Sequence, residues 1–187
     1  MMLTDIFTEL EKNPEFRKIL YSLQQGQSGQ VVGLVGSGKA YFLSALHHKT
    51  GKKFLVITPS SEEAETWWEE LNSFGVKAEL FPEREVLSYQ SISPPFDVTA
   101  LRLTVLSKLL SGDIPVVVAP IEAVISRIIA RSAFDQSLIH LYTGQKMGRD
   151  DFIQLLEERG YRSSDLVTHC GEYGYRGGIV DIYSVSS

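Results

Sequence analysis

Apolar positions along this chain change their period several times, and each change marks an element. Leu3, Ile6, Phe7 and Leu10 recur at helical spacing, and after Asn13-Pro14 the set Phe16, Ile19, Leu20 and Leu23 repeats it. Two short helices are therefore expected ahead of the polar, linker-like run QQGQSGQ. Residues 31–35 form an apolar run that predicts a strand, followed by a helix over about 39–49 that Thr50-Gly51 ends. Residues 53–58 (KFLVIT), closed by Pro59, have the continuous apolar character of a strand buried on both faces.

Ser60-Ser61 followed by Glu62, Glu63 and Glu65 suits the start of a helix through about residue 73, because the serine caps free N–H groups and the carboxylates face the positive end of the dipole. Trp67 and Trp68 within it read as packing residues. Residues 78–81 predict a short strand, 83–98 a Pro- and Ser-rich ordered loop holding Tyr89 and Phe96, and 99–110 a helix on Leu101, Val105, Leu106 and Leu109. IPVVVAP (114–120) reads as a second fully buried strand, and 121–131 as a basic-ended helix. Strand and helix alternate up to about residue 135, which predicts an α/β fold with a parallel sheet and helices on both faces.

From Gln136 the pattern shifts. Alternation over 138–142 predicts a half-buried strand, and Asp150 or Asp151 caps a helix with Phe152, Leu155 and Leu156 inward, stopped by Gly160. Strands over 165–169 and 178–183 are expected next, joined by a glycine-rich bend, GEYGYRG. The division is thus residues 1–136, with N-terminal helices over 1–27, and a small α+β domain over 137–187. Because the sequence stops directly after a strand, the small domain reads as truncated at its C-terminus.

Composition narrows the classes. Of 187 residues, 43% are hydrophobic and 22% charged, ordinary values for a soluble globular protein. A net charge of −5 disfavours a chain that wraps nucleic acid, which needs clustered Lys and Arg. The single cysteine, Cys170, allows no internal disulfide, and the acidic, amphipathic N-terminus is unlike a signal peptide. A cytoplasmic setting and no membrane partner are the expectation. The histidines do not group at ligand spacing, so no metal site is expected.

The one stretch with a chemical motif starts within the first predicted strand and runs on into the helix after it. Gly33, Gly36, Ser37, Gly38 and Lys39 have the spacing of a P-loop, G-x-x-x-x-G-K, in which backbone N–H groups and a lysine cradle phosphates. The next position is Ala40, where the motif needs a hydroxyl to ligate Mg²⁺. Phosphoryl transfer also needs an acidic residue at the end of a later strand, and VVVAP ends in Ala119-Pro120. The stretch reads either as a degenerate nucleotide site or as a strand-to-helix turn with a solvated lysine. No catalytic residue and no cofactor are expected. ATP with Mg²⁺ belongs only to the alternative reading, a nucleotide-binding domain with residual ATPase or DNA-binding activity.

A second group lies in the small domain. Arg162 and Arg176 sit beside Tyr161, Tyr173 and Tyr175, and Arg and Tyr anchor interfaces because they combine contact area with directed hydrogen bonds. The plainer reading is two surface arginines paired with Asp165, Glu172 or Asp181.

The order GLVGSGKA, KFLVITPS, PEREVLSYQSISPPFDVTALRL, VVVAP, GRDDFIQLLEERGYRSSDLV and GEYGYRGGIVDIYSVSS resembles the N-terminal region of the bacterial transcription-repair coupling factor family (Mfd), itself similar to the excision-repair protein UvrB. The resemblance runs from about residue 28 and is most specific over 160–187. It implies a P-loop-NTPase-like first domain with a degenerate nucleotide site, and a small domain that binds UvrA. On the matching tail it places Arg162, Arg176 and Tyr183 at the UvrA-facing surface, with Glu172 a weaker candidate. It further implies a full protein that is an ATP-driven DNA translocase acting on RNA polymerase and double-stranded DNA through regions absent here. UvrB's aromatic-rich DNA hairpin has no counterpart of similar length in the 83–98 loop.

Overall fold

The structure, a computed structural model, describes residues 3–84 and 95–184, with side chains described from Phe7 onward and, in the second stretch, from Val98. Of the loop read over 83–98, residues 85–94, Tyr89 included, and the side chain of Phe96 lie outside the described residues, and its last four positions, from Pro95, belong instead to the first turn of a helix. In chain order the elements are α1 (Leu3–Lys12), α2 (Pro14–Gln24), α3 (Gly38–Thr50), β1 (Phe54–Thr58), α4 (Ser61–Ser73), β2 (Ala78–Leu80) and α5 (Pro95–Ser111). There follow β3 (Val116–Pro120), α6 (Ile121–Ile125), α7 (Arg131–Ser137), α8 (Arg149–Glu158), β4 (Arg162–Ser163), β5 (Glu172–Arg176) and β6 (Ile179–Ile182). The chain divides into two compact units, Met1–Glu83 with Lys108–Val124, and Arg84–Ser107 with Ile125–Ser187.

The first unit is α/β. Its sheet has the order β1-β3-β2 with both pairings parallel. β3 is central and every one of its residues is buried, as its uninterrupted apolar run requires. Phe54, Val56, Ala78, Leu80, Val116 and Val118 alternate onto one face, and α3 and α4 cover it with Ala40, Leu43, Ala64, Trp67 and Leu71. Fully burying a side chain such as Leu71 contributes about 1.5–3 kcal/mol. Around Ala45 and Leu46 of α3, a second cluster gathers Phe7 of α1 and Phe16 of α2, with Phe7 stacked on Tyr41 at 5.6 Å and Phe16 edge-on to Phe42 at 5.4 Å.

Local chemistry sets the helix ends. Asn13 Oδ1 accepts from Glu15 N (2.8 Å) ahead of Pro14, and Ser60 Oγ accepts from Glu63 N (3.2 Å), each satisfying an N–H with no partner inside its helix. Gly51 ends α3 in a left-handed conformation (φ 62°). The tryptophans pack as expected: Trp67 lies against the core and Trp68 Nε1 donates to Ala78 O at 2.9 Å.

Several expected elements differ. Residues 31–35 form no strand: Gly33 turns left-handed (φ 84°) in mid-run, both edges of β3 are already paired, and Val32 and Val35 are 78% and 82% exposed. β1 is not buried on both faces, since it lies at the sheet edge with Leu55 and Ile57 exposed. The helix read over 121–131 stops at Ile125, and α7 follows it.

The second unit holds the sheet β4-β5-β6, with β4 parallel to β5 and β5 antiparallel to β6. Residues 138–142 form no strand; Leu141 and Tyr142 are exposed, so nothing rewards their alternation. The strand expected over 165–169 is a turn, and the stretch read as a bend is itself a strand, β5, with the reversal confined to Gly177-Gly178. Helix α8 begins after Gly148, with Asp150 and Asp151 in its first turn instead of at the cap. Among the described residues no helix is long and apolar enough to cross a membrane.

Candidate protein-interaction face

Strand register in the small sheet decides what shares a face. Arg162 is opposite Glu172, Gly174 opposite Asp181, and Arg176 opposite Ile179, while Tyr183 N continues the ladder by donating to Glu172 O at 2.9 Å. Side chains directly opposite point the same way and alternate along each strand. Arg162, Glu172, Arg176, Ile179, Asp181 and Tyr183 therefore lie on one face, and Tyr173, Tyr175, Val180 and Ile182 on the other. The second face meets α8. The Tyr173 hydroxyl donates to Glu157 Oε1 at 2.8 Å, and the Arg149 guanidinium sits 5.8 Å from the Tyr175 ring centroid while donating to Gly177 O at 3.3 Å.

The face turned away from α8 is open. Arg162, Arg176, Ile179, Asp181 and Tyr183 are all exposed. The turn at 164–167 rises beside it, held by Ser164 Oγ donating to Leu166 O at 2.8 Å. It passes so close over β5 that a Cβ on Gly174 would stand 2.7 Å from Ser164 O. The result is an open cleft of ≈ 780 Å³, whose lining includes Leu166, Gly174, Arg176, Asp181 and Tyr183.

Charge on this face is unevenly committed. Glu172 Oε2 accepts from Thr168 N and His169 N, both at 2.9 Å, so its carboxylate holds a turn of the chain together. Those two amides, Thr168 first, with the His169 ring beside them, hold the Glu172 pKa below the ordinary glutamate value. Arg176 Nη2 meets Asp181 Oδ2 at 3.4 Å, which is the plainer pairing the sequence allowed. Tyr173 is raised above its ordinary value, chiefly because its hydroxyl donates to Glu157 and secondly because it is buried.

The glycine-rich stretch of the first unit has a different character. Gly38 N donates to Val35 O (3.1 Å) and Lys39 N to Gly36 O (3.4 Å), so both amides are used inside the turn. Gly33 and Gly36 take positive φ, and Ser37 makes no side-chain cap hydrogen bond. Lys39 Nζ stands 3.4 Å from Glu63 Oε1, and Ala40 is fully buried beneath α4. Among the described residues no group of His, Cys, Asp or Glu could hold a metal ion.

Comparison with known proteins then decides the relationship. The family model for the UvrB interaction domain matches residues 139–187, the segment that contains the open face. A transcription-repair-coupling factor from Bacillus subtilis (strain 168) is 31% identical over 186 residues, covering 98% of this chain and 16% of the relative. This chain is related to the transcription-repair-coupling factors. Two more, from Escherichia coli (strain K12) and Myxococcus xanthus, are 25% and 26% identical over 175 and 178 residues, covering 93% and 90% of this chain and 15% of each relative. The chain thus spans about one-sixth of the length of the coupling factors it matches.

The structure brings Arg162, Glu172, Arg176 and Tyr183 together on one face within the matched segment, and it places Gly33 to Ala40 in the other unit. Sequence reasoning missed the importance of Gly174 and Asp181, which floor and flank the cleft. Their signal was the period-two pattern of EYGYR and IVDI, readable once the stretch is taken as two paired strands and not as one bend.

Proposed function

We propose that this chain is a non-catalytic recruitment module of a transcription-coupled DNA repair protein, and that the open face of its small sheet binds UvrA as UvrB does. The observation that carries the reading is the sharing of one exposed sheet face by Arg162, Arg176 and Tyr183 inside the segment matched by the UvrB interaction domain. Two guanidiniums and a phenol carried on paired strands supply directed hydrogen bonds and contact area. The α/β unit acts as scaffold. For a longer protein carrying this module, the resemblance implies RNA polymerase and double-stranded DNA as further partners, engaged through regions outside this chain.

Titration of the chain against UvrA, with and without ATP, tests the reading. Arg176→Ala and Arg162→Ala are each expected to weaken binding by about 1–3 kcal/mol. Unchanged affinity in both, with folding intact by circular dichroism, overturns it.

A further inference from the structure

The two carboxylates on the open face are occupied in different ways. Glu172 is anchored by two backbone amides at 2.9 Å, whereas Asp181 is engaged by a single guanidinium nitrogen of Arg176 at 3.4 Å. The Arg176 side chain is 83% exposed and the Asp181 side chain 48% exposed, so their attraction is screened and weak. A guanidinium has five donors and prefers a carboxylate held bidentate, and this pair uses one donor near the limit of a hydrogen bond. Gly174, opposite Asp181, puts no side chain between them and the cleft.

We propose that Asp181 is an intramolecular placeholder, occupying Arg176 until an acidic side chain of the partner enters the cleft and takes the guanidinium in its place. The proposal rests on the reading of UvrA as that partner and names the chemistry of the contact: a carboxylate on UvrA, flanked by an apolar contact with Leu166 and Tyr183. Asp181 then costs affinity while raising selectivity, because a neutral or basic group cannot displace it.

The exchange is tested by titrating UvrA with the full chain as wild type, Asp181→Asn, Arg176→Ala and the double variant. Glu65→Gln, which removes an equal charge from the solvent side of α4, serves as the control. Asp181→Asn is expected to tighten binding about two- to fivefold, the range an exposed ion pair supports, and this gain is expected to vanish when Arg176 is alanine. Glu65→Gln leaves affinity unchanged. Equal or weaker binding by Asp181→Asn overturns the proposal, as does a gain that persists without Arg176 or is matched by Glu65→Gln. If the wild type itself fails to bind UvrA, the recruitment reading falls and the exchange with it. A flat Asp181→Asn result, against a wild type that Arg176→Ala weakens, removes the exchange alone.

Discussion

The hydroxyl of Tyr173, 1% exposed at the centre of the small sheet, donates to Glu157 on α8 at 2.8 Å and ties the sheet to its helix. Tyr173→Phe keeps the ring packing and removes this bond to a charged acceptor, so a loss of about 1–2 kcal/mol is expected in urea unfolding. The open face loses no side chain, so binding measured on folded protein should be unchanged.

Glu172 gives the small domain an acid-sensitive turn. Its folded pKa lies below the ordinary glutamate value, so its stabilisation is fully present above the unfolded pKa and is lost as pH falls through the folded one. The unfolding midpoint of the wild type should therefore decline from about pH 5 downward. Glu172→Gln should be less stable at neutral pH and show a shallower acid decline, followed by denaturant titration at several pH values.

Gly174 is fixed by proximity more than by backbone conformation. A Cβ there meets Ser164 O at 2.7 Å and Val167 Cγ2 at 3.2 Å, and the nearer atom is backbone. Gly174→Ala is expected to destabilise by about 1–3 kcal/mol and to displace the 164–167 turn. Altered amide chemical shifts for residues 163–167 would report the displacement.

Ala40 is the position where a working P-loop carries its hydroxyl, and it is 0% exposed among Ala64, Leu71 and Val116. Ala40→Thr should lower stability by about 1–3 kcal/mol through crowding and a buried hydroxyl. With two amides of the turn already used and Lys39 beside Glu63, no micromolar binding of Mg-ATP is expected by calorimetry. Binding that Lys39→Ala abolishes would reinstate the nucleotide reading.

Where the chain's own local chemistry is strong, the elements were legible. Ser60 with Glu63, Asn13 with Pro14, Gly51 and the run VVVAP predicted α4, α2, the end of α3 and β3, since each signal acts within a few residues. Residues 31–35 and 138–142 misled because an apolar or alternating run becomes a strand only where another strand offers an edge. β5 was hidden for the opposite reason: Gly174 within it and Gly171 and Gly177 at its ends make it look like a bend until β4 and β6 pair with it.

By itself the sequence determined the α/β succession, the position of the degenerate glycine motif and the Arg- and Tyr-bearing tail, because these depend on spacing along the chain. Only the tertiary structure decided that Arg162, Arg176 and Tyr183 share a face, that Glu172 is held by a turn and that Asp181 stands against Arg176. Those relations depend on strand register, where a slip of one residue would turn each side chain to the opposite side of the sheet.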